Sequence, residues 1–393
     1  MEFRLLGSLV DRKIGYGIVQ PGQSVGGGVP VIKVNNLITG LKSVNDLDTT
    51  SAETAAKYTR TKLKGGELIV SVVGTIGKTA IAPASFAGCN LVRATALIDI
   101  PDQWLSYWVK YYIDSPAGQA YINQNLNTTV QPTLNIKSLV EMPIPFFDEP
   151  NMKRAVEFLK NIDDCITNNN RINDNLQQQA YAYFLRLFVD NADPSWRIGT
   201  IADLGTVVGG GTPSKAKPEY YTEDGIAWIT PKDLSVDKSK FIAHGENDIT
   251  ELGYRNSSAT MMPAGTVLFS SRAPIGYIAI ASNEVTTNQG FKSVVPHPEI
   301  GTPFVYYFLL HNLPLIESKA SGSTFREISG SVMKSVEAVI PDGDTVAEFN
   351  DFCRPVFEMQ EKLEQENRKL AAMRDSLLPR LMSGEIDVSD IDI

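Results

Sequence analysis

From Phe349 to Leu381, apolar or semi-apolar residues recur at alternating steps of three and four: Phe349, Phe352, Val356, Met359, Leu363, Glu366, Leu370, Met373, Leu377 and Leu381. This spacing predicts a long helix with a heptad seam. Moving the positions from Phe352 onward back by 194 gives Phe158, Ile162, Cys165, Asn169, Ile172, Leu176, Gln179, Tyr183 and Leu187, in the same register. Two long helices therefore follow one plan. Their polar seam positions are staggered, Asn169 corresponding to Leu363 and Ile172 to Glu366, so neither stripe is unbroken and each helix fits the other better than a copy of itself. The expectation is an antiparallel intramolecular coiled coil, its seam formed by Phe158, Ile162, Ile172, Leu176 and Leu187 on one helix and Val356, Leu363, Leu370, Leu377 and Leu381 on the other. Pro150 and Pro355 are expected in the opening turns, where a missing N–H costs least, and Pro379 should kink or end the second helix near Leu378.

The rest of the chain repeats as well. Phe3-Arg4-Leu5 anticipates Trp196-Arg197-Ile198, and VPVIKVNNL from Val29 anticipates IAWITPKDL from Ile226 at an offset of 197. GGELIVSVVGTIGKTAIA from Gly65 precedes AGTVLFSSRAPIGYIAIA from Ala264 by 199, and LVEMPIP from Leu139 precedes SVEAVIP from Ser335 by 196. The matches keep one order with little drift, the mark of a tandem duplication with a pseudo-twofold plan. Each globular copy reads as mixed α and β. Glycine-bounded β-rich runs cover Glu67–Val73, Thr266–Ser270 and Ile278–Ala281, aromatic-rich helices cover Tyr107–Tyr121 and Phe304–His311, and Gly22–Gly28 and Gly209–Ser214 read as loops. The fold class is therefore α+β: a first globular domain over residues 1–150, a first spacer helix over 151–192, a second globular domain over 193–345, and a second spacer helix with a tail over 346–393.

Composition is that of an ordinary soluble protein, with 43% hydrophobic and 21% charged residues in 393. No stretch has the length and apolarity of a membrane span, and the opening MEFRLLGSLV lacks a signal-peptide pattern, so a cytoplasmic location is expected. The three cysteines and three histidines show neither disulfide nor zinc spacing. A net charge of −9 speaks against a nucleic-acid partner until its distribution is considered. Residues 1–150 carry 13 basic and 12 acidic side chains, whereas 346–393 carry 6 and 11. Residues 193–345 carry 12 and 17, so DNA contact there must rest on the placement of a few cations.

Gly74-Thr75-Ile76-Gly77-Lys78-Thr79 ends like a phosphate-binding loop, but Val72 stands where its first glycine belongs, and the repeat copy, Ala273 to Ile278, has no lysine. A tight turn between strands accounts for both copies. No other catalytic constellation is present, so the chain reads as a non-enzyme. What remains is polar loop chemistry at equivalent places in the two halves: Lys33, Asn35, Asn36, Ser71, Asn90, Arg93 and Asn127-Thr128-Thr129 in the first, and Lys215, Thr230, Lys232, Ser271, Arg272, Asn288, Gln289 and Ser321-Gly322-Ser323-Thr324 in the second. Arg, Asn and Gln offer bidentate contacts to base edges, and Ser, Thr and Lys suit phosphates. Taken singly, an Asn or Ser in a loop more often forms the turn itself.

At this level the chain resembles the specificity subunit of a type I restriction–modification enzyme. The resemblance rests on WRIGTIADL from Trp196, the GGGTPS loop from Gly209, Trp228-Ile229-Thr230 with Asp233, GTVLFSSRAPIG from Gly265, and the MRDSLLPRLMSGEI tail from Met373. In the first half Val31-Ile32-Lys33 replaces Trp-Ile-Thr, and the Gly22–Gly28 loop lacks the TPS sequence. The resemblance implies two target recognition domains reading a bipartite double-stranded DNA site, with the paired helices as a ruler for the unread gap and as a docking surface for two methyltransferase subunits. It also implies a role in phage defence in which S-adenosylmethionine, ATP and Mg serve the methyltransferase and restriction/translocase subunits, with no cofactor in this chain. On this reading Lys33, Asn35, Asn36 and Arg93 line the DNA face of the first domain, and Lys215, Thr230, Lys232, Ser271, Arg272, Asn288 and Gln289 that of the second. The competing class is a coiled-coil scaffold for protein partners, which the acidic balance suits, and a weaker third is a nucleotide-dependent enzyme built on Gly74–Thr79.

Overall fold

The computed structural model describes residues 1–127, 131–322 and 326–388. Thr128, Thr129, Ser323 and Thr324 lie outside the described residues. The chain forms two compact units, Met1–Ile166 with Lys369–Ile393, and Thr167–Arg368. The division cuts both long helices, Glu149–Leu185 and Gly343–Met382.

In the first unit a four-stranded antiparallel sheet runs in the order Gly15–Tyr16, Thr95–Ile98, Leu68–Ser71, Thr79–Ile81. Beside it Val29–Ile32 pairs antiparallel with Asp48–Thr50 and parallel with Asn90–Leu91. Trp108 is fully buried at the centre of the core and donates its indole N–H to Pro145 O at 2.9 Å. The stretch expected as one helix over Tyr107–Tyr121 is two, Gln103–Asp114 and Pro116–Gln124. Pro116 cannot continue the first helix, and Ser115 caps the second by accepting from Gly118 N.

In the second unit the sheet has five strands, in the order Gly205–Gly209, Lys292–Pro296, Val267–Ser271, Ile275–Ala281, Phe241–Ile242. Trp228–Ile229 runs parallel to Thr286–Thr287. Its core is aromatic, with Phe184, Phe304, Tyr307 and Phe349 buried together.

The duplication persists down to strand register. Leu68 faces Ile81 in one hairpin and Val267 faces Ile280 in the other. Arg4 pairs with Ile144 as Arg197 pairs with Ile340. Ser71 Oγ donates to Thr75 O and accepts from Lys78 N, and Ser270 Oγ makes the same two bonds to Pro274 O and Tyr277 N. The loop that resembles a phosphate-binding motif is thus a serine-braced hairpin turn. Gly74 and Gly77 adopt positive φ there, which glycine tolerates without strain.

Within each unit the helices run antiparallel. In the first, Asp163 of the first helix meets Arg374 of the second. In the second, Asn169 meets Asn367, Asn173 meets Gln360 and Tyr183 meets Glu348, so one number falls as the other rises. Leu363 and Leu381 are buried as expected, as is Ile162. Ile172, expected in the seam, is instead 45% exposed, and Phe352, Met359 and Met373 are exposed with it. At alternate seam positions the inward residue is the next one along, as with Asn173, Cys353, Gln360, Asn367 and Arg374. The side chains of Gln360, Asn367 and Arg374 bond across the pair from these places, while Ile172, Phe352, Met359 and Met373 face outward. Pro379 does not end the second helix, which runs on to Met382 with Leu381 2% exposed. Pro355 lies well inside that helix rather than in its opening turns. Among the described residues no helix is long and apolar enough to cross a membrane.

Candidate nucleic-acid interface

Two glycines of the GGGTPS segment, Gly210 and Gly211, are there for close approach. A Cβ on Gly210 would lie 2.0 Å from Asn288 O, and one on Gly211 would lie 2.3 Å from the Ser258 backbone. Gly211 N donates to Thr287 O at 2.8 Å, which lays the loop along the end of the parallel strand pair. The counterpart in the first unit is Gly17-Ile18 and not the Gly22–Gly28 loop. A Cβ on Gly17 would lie 2.2 Å from the Leu91 backbone, and Ile18 N donates to Leu91 O at 2.7 Å. Only the backbone contact is shared, so the sequence match misses it.

Beneath this loop the second unit opens a cavity of about 690 Å³. Six of the seven candidates from this half line it: Lys215, Thr230, Lys232, Arg272, Asn288 and Gln289. Ser271 does not. It is fully buried, with both N and Oγ bonded to Gly290 O, and so is a bracing residue of the strand rather than a contact. Trp228 and Tyr221 form the apolar wall, edge to face at 5.7 Å, each tied to the loop through Gly211 O or Pro213 O.

The polar residues differ in how free they are. Thr230 caps the helix Pro231–Val236, and its N and Oγ both donate to Asp233 Oδ2 at 2.7 and 2.6 Å. Asn288 Oδ1 accepts from Gly290 N, which leaves its amide N–H₂ for a ligand. Gln289 accepts from Thr212. Lys232 and Glu246 pair at 2.5 Å on the exposed rim, and that bond raises the lysine pKa. Arg272 meets Glu327 loosely at 3.5 Å, and Lys215 is exposed with no hydrogen bond or ion pair to the described residues. Beside Arg272, Ala273 has φ of +51°, a left-handed conformation that strains a residue with a side chain. Glu246 and Asn247 also line the cavity. They sit in a polar loop with no repeat match, and nothing in the sequence singles them out.

The first unit presents the same framework with other side chains. Asn36 Oδ1 accepts from Lys33 N at 2.7 Å, the counterpart of Asp233 accepting from Thr230 N. Asn36 therefore serves a helix start first. Lys33 pairs with Asp48 at 2.5 Å, while Asn35 and Arg93 are exposed. Asn90 is buried and bonded to Thr61 and Tyr58, a structural role. Lys33 and Arg93 follow the parallel strands Val29–Ile32 and Asn90–Leu91, as Thr230 and Asn288 follow theirs. Among the described residues no cluster of three His, Cys, Asp or Glu is arranged to hold a metal.

Comparison with known proteins fits this doubled framework. The model of the type I restriction modification DNA specificity domain matches residues 2–178 and again 194–364. A stretch of 148 residues is 43% identical to the type I restriction enzyme MjaIX specificity subunit of Methanocaldococcus jannaschii, covering 37% of this chain and 34% of that protein. Another of 194 residues is 29% identical to the HindI specificity subunit of Haemophilus influenzae, covering 49% and 42%. Each of these alignments spans less than half of the relative's length. The S subunit of a type I restriction-modification system from M. genitalium has the same fold, with a TM-score of 0.58 at 15% identity over 96% of this chain and 95% of that one. Matched twice and over most of its length by that domain model, the chain belongs to the family of type I restriction modification DNA specificity domains.

Proposed function

We propose that this chain is the sequence-specific DNA-binding subunit of a type I restriction–modification complex. Each globular segment reads one half of a bipartite duplex site, and the helix pair sets the gap between the halves. The observation that carries the reading is the repeated framework: two copies of one strand register, each presenting polar side chains just past its parallel strands, joined by long antiparallel-paired helices. Arg272, Asn288 and Gln289 suit base edges, and Lys215 and Lys232 suit phosphates. In the first half the same roles fall to Arg93, Asn35 and Lys33, with Asn36 available only through its amide N–H₂. A helix of 37 residues extends about 55 Å at 1.5 Å per residue, enough to act as a ruler longer than one DNA turn of roughly 34 Å.

The outward apolar residues of the helix pair, Ile172, Phe352 and Met359, suit a protein partner better than water. We assign this face to the methyltransferase subunits, two per chain. Adenine methylation with S-adenosylmethionine, and ATP- and Mg-dependent translocation and cleavage, belong to the partner subunits, and this chain supplies no catalytic residue. Binding of random-sequence duplexes by the chain co-expressed with its methyltransferase subunit, followed by sequencing of the retained DNA, tests the reading. Two short enriched motifs are expected, with affinity falling steeply as salt rises. Salt-insensitive binding without enrichment would favour the protein scaffold.

A further inference from the structure

We infer that Lys240, held by Gln360, is a positioning residue that fixes the second recognition domain on the helix pair and so sharpens the permitted gap between half-sites. The inference rests on the bipartite reading above. Lys240 immediately precedes Phe241–Ile242, the outermost strand of the five-stranded sheet, and is 7% exposed. Its ammonium nitrogen lies 4.0 Å from the Phe357 ring centre, 4.6 Å from Tyr306 and 5.1 Å from Tyr307. It donates to Gln360 Oε1 at 2.7 Å, and Gln360 Nε2 donates in turn to Asn173 O at 3.2 Å. One turn later along the same helix face, Glu364 accepts from Lys240 N and Phe241 N at 2.8 and 3.0 Å.

Three elements thus meet at Gln360: the sheet edge through Lys240, the second long helix through its own backbone, and the first long helix through Asn173. Apolar packing alone is tolerant of small sliding and rotation, whereas these bonds are directional and sit where water does not compete. An apolar residue would fill the ring cage without the cost of burying a lysine, so what the lysine adds is geometry. The sheet it anchors also carries Val267–Ser271, which leads directly into Arg272 at the cavity. The first domain differs at these positions. Its sheet ends at Thr79–Ile81, and the helix positions corresponding to Gln360 and Glu364 are Ile166 and Asn170.

The test is the distribution of gap lengths in DNA retained from random duplexes by the full chain in complex with its methyltransferase subunit. Lys240→Met keeps the cage filled and removes the bonds, and Gln360→Glu keeps an acceptor for the lysine but removes the donor to Asn173. Both variants are expected to retain the wild-type pair of motifs while neighbouring gap lengths gain about tenfold relative to the preferred one, the scale of a lost buried hydrogen bond. Gaps as sharp as the wild type's in both variants would overturn the inference. Loss of the second motif in both would also overturn it, by making Lys240 a core residue of the domain. A wild-type complex that retains no pair of motifs contradicts the functional reading itself, and the wild type alone shows it.

Discussion

Asp163 of the first long helix accepts from Arg374 of the second at 2.8 Å, and its other carboxylate oxygen accepts from the Tyr111 hydroxyl at 2.8 Å. A residue of the MRDSLLP tail motif thereby joins both helices to the globular core of the first unit. The pair is about three-quarters buried, with side chains 29% and 26% exposed, so partial solvation trims its value below that of a fully enclosed ion pair.

Arg374→Ala leaves Asp163 with Tyr111 and Lys110, and we expect a loss of about 1–3 kcal/mol in unfolding free energy, the range for removing a hydrogen bond to a charged group. Asp163→Ala should cost a similar amount. The double substitution should cost less than the sum of the two, because each single change already removes the shared contact. Urea unfolding of the three variants measures this, and additivity would mean that the pair contributes nothing as a pair.

Arg272→Ala should weaken binding to the second half-site by about 1–3 kcal/mol and relax base preference there, with assembly intact. Lys215→Ala should weaken binding to all sequences alike and lower the salt slope by about one. Salt titrations against cognate and scrambled duplexes separate the two. Unchanged selectivity in the Arg272 variant would exclude it from base reading.

Burial pulls the Lys240 pKa down to about 7 despite the aromatic faces around it. An unfolded lysine titrates near about 10.4. At pH below both values native and unfolded chains carry the same proton, and the native state bears the cost of burying the charge. As pH rises above 7 the native state has released a proton that the unfolded chain still holds, so stability rises, by up to about 1.4 kcal/mol per pH unit from this group. Wild-type protein should therefore gain on Lys240→Met between pH 7 and 9. A constant difference in unfolding free energy across that range would contradict the shift.

Much of this architecture is legible in the sequence because duplication keeps offsets nearly constant, so the segments holding Leu68–Ile81 and Val267–Ile280 read as copies of one hairpin. The helix seam is only half legible. A search for apolar heptads selects Ile172, Phe352, Met359 and Met373, yet the interior also takes Gln360, Asn367 and Arg374, whose cost of burial is offset by bonds that no pattern of hydrophobicity reveals. Pro379 misleads for a related reason: packing of Leu378 and Leu381 in the first core outweighs the loss of one helix hydrogen bond. At the candidate interface residue type picks out Arg272, Asn288 and Gln289, which line the cavity together. It fails for Ser271, which faces the strand interior, and for Gly17, whose equivalence to Gly210 exists only as a backbone contact.

We propose that two recognition domains read DNA at a separation fixed by the helix pair. The test is insertion of four residues into each long helix beside Asn170 and Asn367, where Asn367 Nδ2 donates to Asn170 Oδ1 at 2.9 Å; this lengthens the pair by about 6 Å, and the random duplexes retained by the complex are sequenced. The same two motifs as in the wild type are expected, now separated by a longer gap. The same motifs at an unchanged gap would contradict it.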